Sequence, residues 1–291
     1  MSKLSYYILD VFAESKFAGN QLAVFRRAAN ISSDEMQNIA REINFSETTF
    51  ILADEQTEAG FDVRIFTPKE EVPFAGHPTL GTAHIIHNEI LQRKTDHLVL
   101  NLKIGQIPVS FSPDGYGWMK QVPPVFGQQH PANTLADVLN LEVAEIDQRF
   151  PIQEVSTGLP FFIVPLKNLA ALKKARVERE KYFKLINNTV AKGILVFCPE
   201  AHQPQNQVSV RVFVDYYGVP EDPATGSGNG CLAGYLLKYR YFGKDTLDIR
   251  SEQGYEIGRP SLLLLRAEQN DGIINISVGG KSVIVAQGEF L

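Results

Sequence analysis

The chain has 291 residues, 44% of them hydrophobic and 21% charged, a globular composition long enough for two domains. Its net charge of −5 without a long basic run leaves no footprint for nucleic acid, and its two cysteines, Cys198 and Cys231, exclude a disulfide framework or a cysteine-rich metal site. No apolar run reaches the ~18 residues of a membrane helix, and the opening MSKLSYYILDVF reads as a strand rather than a signal peptide, so a cytoplasmic chain without membrane contact is expected.

In chain order, YYILDVF and QLAVF read as two strands joined through the turn signal FAGN. SSDEMQNIAREI is predicted helical, with Ser32 or Ser33 as N-cap and Met36, Ile39, Ala40 and Ile43 on one face. TTFILA and FDVRIF are strands, FAGHPTLGTAHIIHNEIL is a Gly/Pro turn running into a helix, and HLVLNLKIGQIPVSF is a strand pair. QVPPVFGQQHPANT has the composition of a linker. The second half repeats the order: FPIQEVSTGLPFFIVPL gives two strands, NLAALKKARVEREKYFKLI a helix, and ILVFCPE and VSVRVFVDYY further strands. EDPATGSGNGCLAGYLLKY is again a glycine turn into a helix, and LDIRSEQGYEIGRPSLLLL gives two more strands.

VRIF at 63–66 and VRVF at 210–213 lie 147 residues apart, and the same offset joins Val72-Pro73 to Val219-Pro220 and Gly81 to Gly228. The spacing predicts a duplication kept without a gap over this stretch. Two such halves would set two glycine-rich helix starts facing one cleft, where free N–H groups and the positive ends of the helix dipoles suit a small carboxylate.

Glu47 in NFSETTF, His77 in FAGHPTLG, and Asp222 and Ser227 in EDPATGSG are the candidates for proton transfer there. Each also fits a structural role: Glu47 a solvated carboxylate at a strand start, His77 a turn-backbone partner, Asp222 a turn residue before Pro223, Ser227 a helix cap. His84 and His87 sit three apart without the spacing of a zinc motif and read as partly exposed helix residues. Cys231 opens a helix, but the first half offers Ala83 or His84 at its position, which leaves a core cysteine rather than half of a thiol pair. GxGxxG, GK[ST] and GxSxG are absent.

DVF…AGNQLAVF, NFSETTF, RIFTPKEEVPFAGHPTLGTA, EDPATGSGNGCLAGYL, EQGYEIGRPS and VGGKSVIVAQGEF together resemble the phenazine-biosynthesis PhzF-like isomerase family, in the same order from about residue 6 to 291. The resemblance implies an α+β, diaminopimelate-epimerase-like fold: two pseudo-symmetric halves, each a curled sheet around a central helix, with the site between them. The halves are expected at 1–120 and 130–275, with the last strand, about 276–291, returning to the first. It also implies a cofactor-independent isomerase, without metal, acting on a small carboxylate-bearing unsaturated or cyclic substrate, and a homodimer. Glu47 matches the family's acid/base glutamate, with His77 and Asp222 as further catalytic residues. Asn20, Ser46, Gly76, Gly226, Ser227 and Gly228 are the expected substrate-binding residues. One departure is Gln21, where members often have Pro after Gly-Asn. A binding protein of this fold without turnover, or an epimerase using Glu47 and Asp222 as bases, remain the alternatives.

Overall fold

Alternating and continuous apolar stretches set the strands, and their pairing repeats once along the chain. The computed structural model describes residues 3–291. The first run comprises β1 (Leu4–Val11), β2 (Asn20–Phe25), α1 (Ser33–Ile43), β3 (Thr48–Ile51), β4 (Phe61–Phe66), β5 (Glu71–Val72), α2 (Gly76–Ile85), β6 (His97–Leu102), β7 (Gly105–Phe111) and β8 (Gly117–Gln121). The second comprises β9 (Val125–His130), α3 (Ala132–Leu139), β10 (Ile152–Ser156), β11 (Pro160–Pro165), α4 (Leu169–Lys174), α5 (Arg179–Ile186), β12 (Gly193–Cys198) and β13 (Val208–Val214). It continues with β14 (Val219–Asp222), α6 (Gly226–Lys238), β15 (Thr246–Gln253) and β16 (Ser261–Asn270), before β17 (Ile273–Gly280) and β18 (Ser282–Phe290). The chain divides into two compact units: residues up to Lys120 with Gly279–Leu291, and Gln121–Val278. Strand β18 lies antiparallel to β1, from Leu4 opposite Phe290 to Val11 opposite Ser282, with a bulge between Ile8 and Leu9.

Both units use one pairing scheme. In the first, β1–β2 is antiparallel, β2–β3 parallel and β3–β4 antiparallel, β4 takes β5 antiparallel and β6 parallel, and β6–β7 is antiparallel. In the second, β10–β11, β11–β12, β12–β13, β13–β14, β13–β15 and β15–β16 repeat those orientations in order. Each sheet curls around a helix buried on nearly all sides: α2 hides His77–Ala83 and Ile85, and α6 hides Gly226 and Gly228–Leu237. Such a helix belongs to a core rather than a surface. Two pseudo-symmetric α+β halves are therefore present. Around α1, Ser32 accepts from the Glu35 N–H, and Met36, Ile39 and Ala40 bury against Phe25, Phe50 and Phe66.

Three expectations are corrected. First, the repeat carries a gap. Arg64 grips Glu71 through two hydrogen bonds of 2.8 and 2.9 Å and lies over Phe66, while Arg211 grips Glu221 at 2.9 and 2.7 Å and lies over Phe213. The arginines are 147 residues apart but the glutamates 150, because a single 3-10 turn, Asp215–Tyr217, is inserted before β14. The Val-Pro match at 147 is thus coincidental, and the helix starts Gly76 and Gly226 correspond at 150. Gly81, not Ala83 or His84, then stands where the second half has Cys231. Second, the expected linker contains strand β9, antiparallel to β10, and the start of α3. Third, the single helix expected over 168–186 is two. Ala175 leaves the helical region at ψ 132°, Arg176 and Glu178 donate their N–H groups to Leu139 and Val138, and the Glu178 carboxylate caps α5. Backbone partners on α3 outcompete a local preference for continuous helix.

Candidate active site

In the first unit, Glu47 is the residue before β3 and His77 the second residue of α2. Thirty residues separate them in sequence, yet His77 Nε2 lies 3.5 Å from Glu47 Oε2. The fold does this by laying β3 against α2, where Thr49 and Thr82 share a buried hydrogen bond of 2.8 Å. Burial pushes the His77 imidazole down to about 3, against a smaller opposing effect from a hydrogen bond with the Gln21 backbone. The ring is therefore neutral at pH 7, and its Nε2 forms no hydrogen bond within the protein. A carboxyl group and an uncharged imidazole thus meet at a spot where a third group can take up the polar atoms. Asn20 opens β2 and is buried, while Ser46 and Gly76 flank Glu47 and His77 and are half-buried. Gly19 just before Asn20 has φ +64°, and a Cβ there would stand 2.3 Å from the Val11 carbonyl oxygen, so this turn requires glycine.

In the second unit, Asp222 ends β14, and Gly226, Ser227 and Gly228 form the first turn of α6. Asp222 accepts a hydrogen bond from the Thr225 hydroxyl. Gln253, at the end of β15, ties the turn together: its amide donates to the Asp222 carbonyl at 2.7 Å and to the Thr225 hydroxyl at 3.0 Å. Its oxygen accepts from Thr225 N at 3.2 Å and from Asn229 at 2.8 Å. Ser251 in turn donates to Asn229 at 2.7 Å. Neither N-cap residue, Ala75 of α2 or Thr225 of α6, caps its helix through a side-chain hydrogen bond, and a helix start of this kind suits an anion.

Thr225, Asn229 and Gln253 were missed by the sequence reading. The EQG of Gln253 stands in a motif that carried the family resemblance, but nothing local links it to Asp222. Cys231 is fully buried beside Thr157, with its thiol pushed up to about 11 by burial. Cys198 is buried and pushed up to about 12 for the same reason. Neither is poised to react. His84 is half-buried and held down at about 4 by burial. His87 departs from its expected partial exposure: it is buried and stacked on Phe111 at 4.1 Å. Among the described residues no group of three His, Cys, Asp or Glu side chains is placed to hold a metal ion, and no helix is long and apolar enough to cross a membrane. Surface hollows of about 320 Å³ beside Arg64 and about 510 Å³ beside Arg149 involve none of the candidate residues.

The depressed histidines set a pH dependence. A histidine whose folded pKa lies below its unfolded 6.5 binds fewer protons when folded, so its stabilising effect is full above 6.5 and is lost as pH falls toward 3. Between pH 7 and 5, His77 is expected to account for roughly 2 kcal/mol of lost stability. Urea unfolding of wild type and His77→Gln at both pH values measures this: the loss should shrink by about that amount in the variant, and equal losses would contradict the neutral buried ring.

The profile of the phenazine biosynthesis-like protein family matches residues 9–288. An uncharacterized isomerase of Pasteurella multocida is 33% identical over 99% of this chain and 94% of that one. The trans-2,3-dihydro-3-hydroxyanthranilate isomerase of Pseudomonas aeruginosa is 33% identical over 97% of this chain and 98% of its own. Among solved structures, a PhzF-family phenazine biosynthesis protein of Bacillus anthracis superposes with a TM-score of 0.90 at 28% identity, covering 100% of both chains.

Proposed function

The chain belongs to the phenazine biosynthesis-like family and is an isomerase, and from that premise we propose that it moves a proton on a small, unsaturated, carboxylate-bearing ring, with Glu47 as the acid/base. The single observation that carries the reading is the 3.5 Å approach of Glu47 to a buried, neutral His77 at the uncapped start of α2. A carboxylate can take a proton from a carbon beside a double bond and return it to another carbon of the same conjugated system. The overall change is redox-neutral, so atoms and electrons balance without an external acceptor. The neutral imidazole can pass a proton to or from the substrate through Nε2. In the second unit, Asp222, fixed by Thr225 and Gln253, is the other candidate acid/base carboxylate. Within the first unit, the start of α2 at Gly76, with Asn20 and Ser46, holds the substrate's carboxylate and polar substituents.

The test is proton exchange in D2O with trans-2,3-dihydro-3-hydroxyanthranilate, the compound named for the Pseudomonas aeruginosa relative. Mass spectrometry is expected to show one deuteron gained in an isomerised product. A compound that binds but neither isomerises nor exchanges would overturn the reading and leave a binding protein in its place.

A further inference from the structure

The loop between β1 and β2, residues 12–19, leads into the strand end that borders the Glu47–His77 pair. The parallel register sets Ala23 beside Thr48, which brings Leu22 alongside Glu47, and the His77 ring bonds the Gln21 backbone. Phe17 sits in this loop with two features that oppose folding. Its φ is +70°, an outlier for a bulky side chain, and its ring is 73% exposed. The conformation is imposed from inside: the Phe17 N–H donates at 2.6 Å to the carboxylate of Asp10, a residue only 2% exposed. A hydrogen bond to a charged acceptor is among the stronger kinds, and here it fastens a strained aromatic residue into solvent. Strain of this kind gathers where a chain handles a ligand.

We propose that Phe17 is a specificity residue, its ring held out by Asp10 to lie against the flat face of a cyclic unsaturated carboxylate bound at Glu47. The inference rests on the site assignment above and adds what the site selects: an aromatic edge or face favours a planar ring. Its test uses 3-hydroxyanthranilate, the stable aromatic counterpart of the substrate named for the relative, with titration calorimetry as readout. Phe17→Tyr is expected to keep the wild-type Kd within threefold. Phe17→Ala and Phe17→Gly should weaken binding roughly tenfold. Phe17→Gly should melt no lower than wild type, because glycine accepts a positive φ without strain. That combination, lost affinity with retained stability, separates ligand contact from a structural role. Unchanged affinity in Phe17→Ala, or a wild type that does not bind the probe, overturns the proposal. A wild type that binds the probe, with affinity dependent on Phe17, but exchanges no proton in D2O overturns the proposed isomerisation and leaves the Phe17 contact standing.

Discussion

Replacing Glu47 by Gln is expected to lower kcat by about 10²- to 10⁴-fold, the range for removing a positioned acid/base group. The substitution keeps the size of the side chain and its approach to His77, 3.5 Å in the wild type, but removes the site that accepts a proton. Stability should shift by no more than about 0.5 kcal/mol, since no new cavity or buried charge is created. Deuterium incorporation in D2O should fall with kcat, because both need the same proton acceptor. A variant that keeps more than a tenth of the wild-type rate would move the acid/base role away from Glu47, with Asp222 the next carboxylate to replace.

The second large effect is on the fold. Arg211→Ala is expected to destabilise the protein by about 3–5 kcal/mol, the cost of leaving one partner of a buried pair behind. Its guanidinium gives two bonds to Glu221 and three more, at 3.0, 3.4 and 2.7 Å, to the carbonyls of Leu172, Lys173 and Ala175 at the end of α4. The Arg211 side chain is 3% exposed and Glu221 10%. The matching pair Arg64–Glu71 is 26% and 22% exposed, and Arg64→Ala should cost about 1 kcal/mol. Urea unfolding of both variants reads the difference. Equal costs would mean that burial does not set the strength of this repeated clamp. Glu221 also precedes Asp222, so the Arg211 variant should lose activity at temperatures where it remains folded.

Much of this was legible from residues alone. Apolar stretches, alternating in some strands and continuous in others, marked the strands, serine marked the α1 cap, and glycine turns marked both central helix starts. Glu47 and His77 stood out through their motifs, yet only the packing of β3 on α2 shows that they touch. Elsewhere local patterns misled. Val-Pro recurred by chance at 147 residues and hid the Asp215–Tyr217 insertion, which becomes visible once the two Arg–Glu clamps are compared. The Pro- and Gln-rich stretch before α3 lacks strand composition, but β10 supplies its ladder partners. LAALKKARVERE favours helix throughout, and its break comes from carbonyls on α3 that no window of sequence contains. Gln253 is polar and buried for the same kind of reason: its four hydrogen bonds go to Asp222, Thr225 and Asn229, which lie 24 to 31 residues away.

The pairing of β18 with β1 has a consequence for biosynthesis. Leu4–Val11 leaves the ribosome early but meets Ser282–Phe290 only after the whole of the second unit has been made. The second unit, by contrast, is one continuous segment, Gln121–Val278. Until Ser282–Phe290 arrives, β1 keeps one edge uncovered. An uncovered edge strand is an invitation to pair with another chain. Docking of β18 is thus the step that closes both the first unit and its window for aggregation.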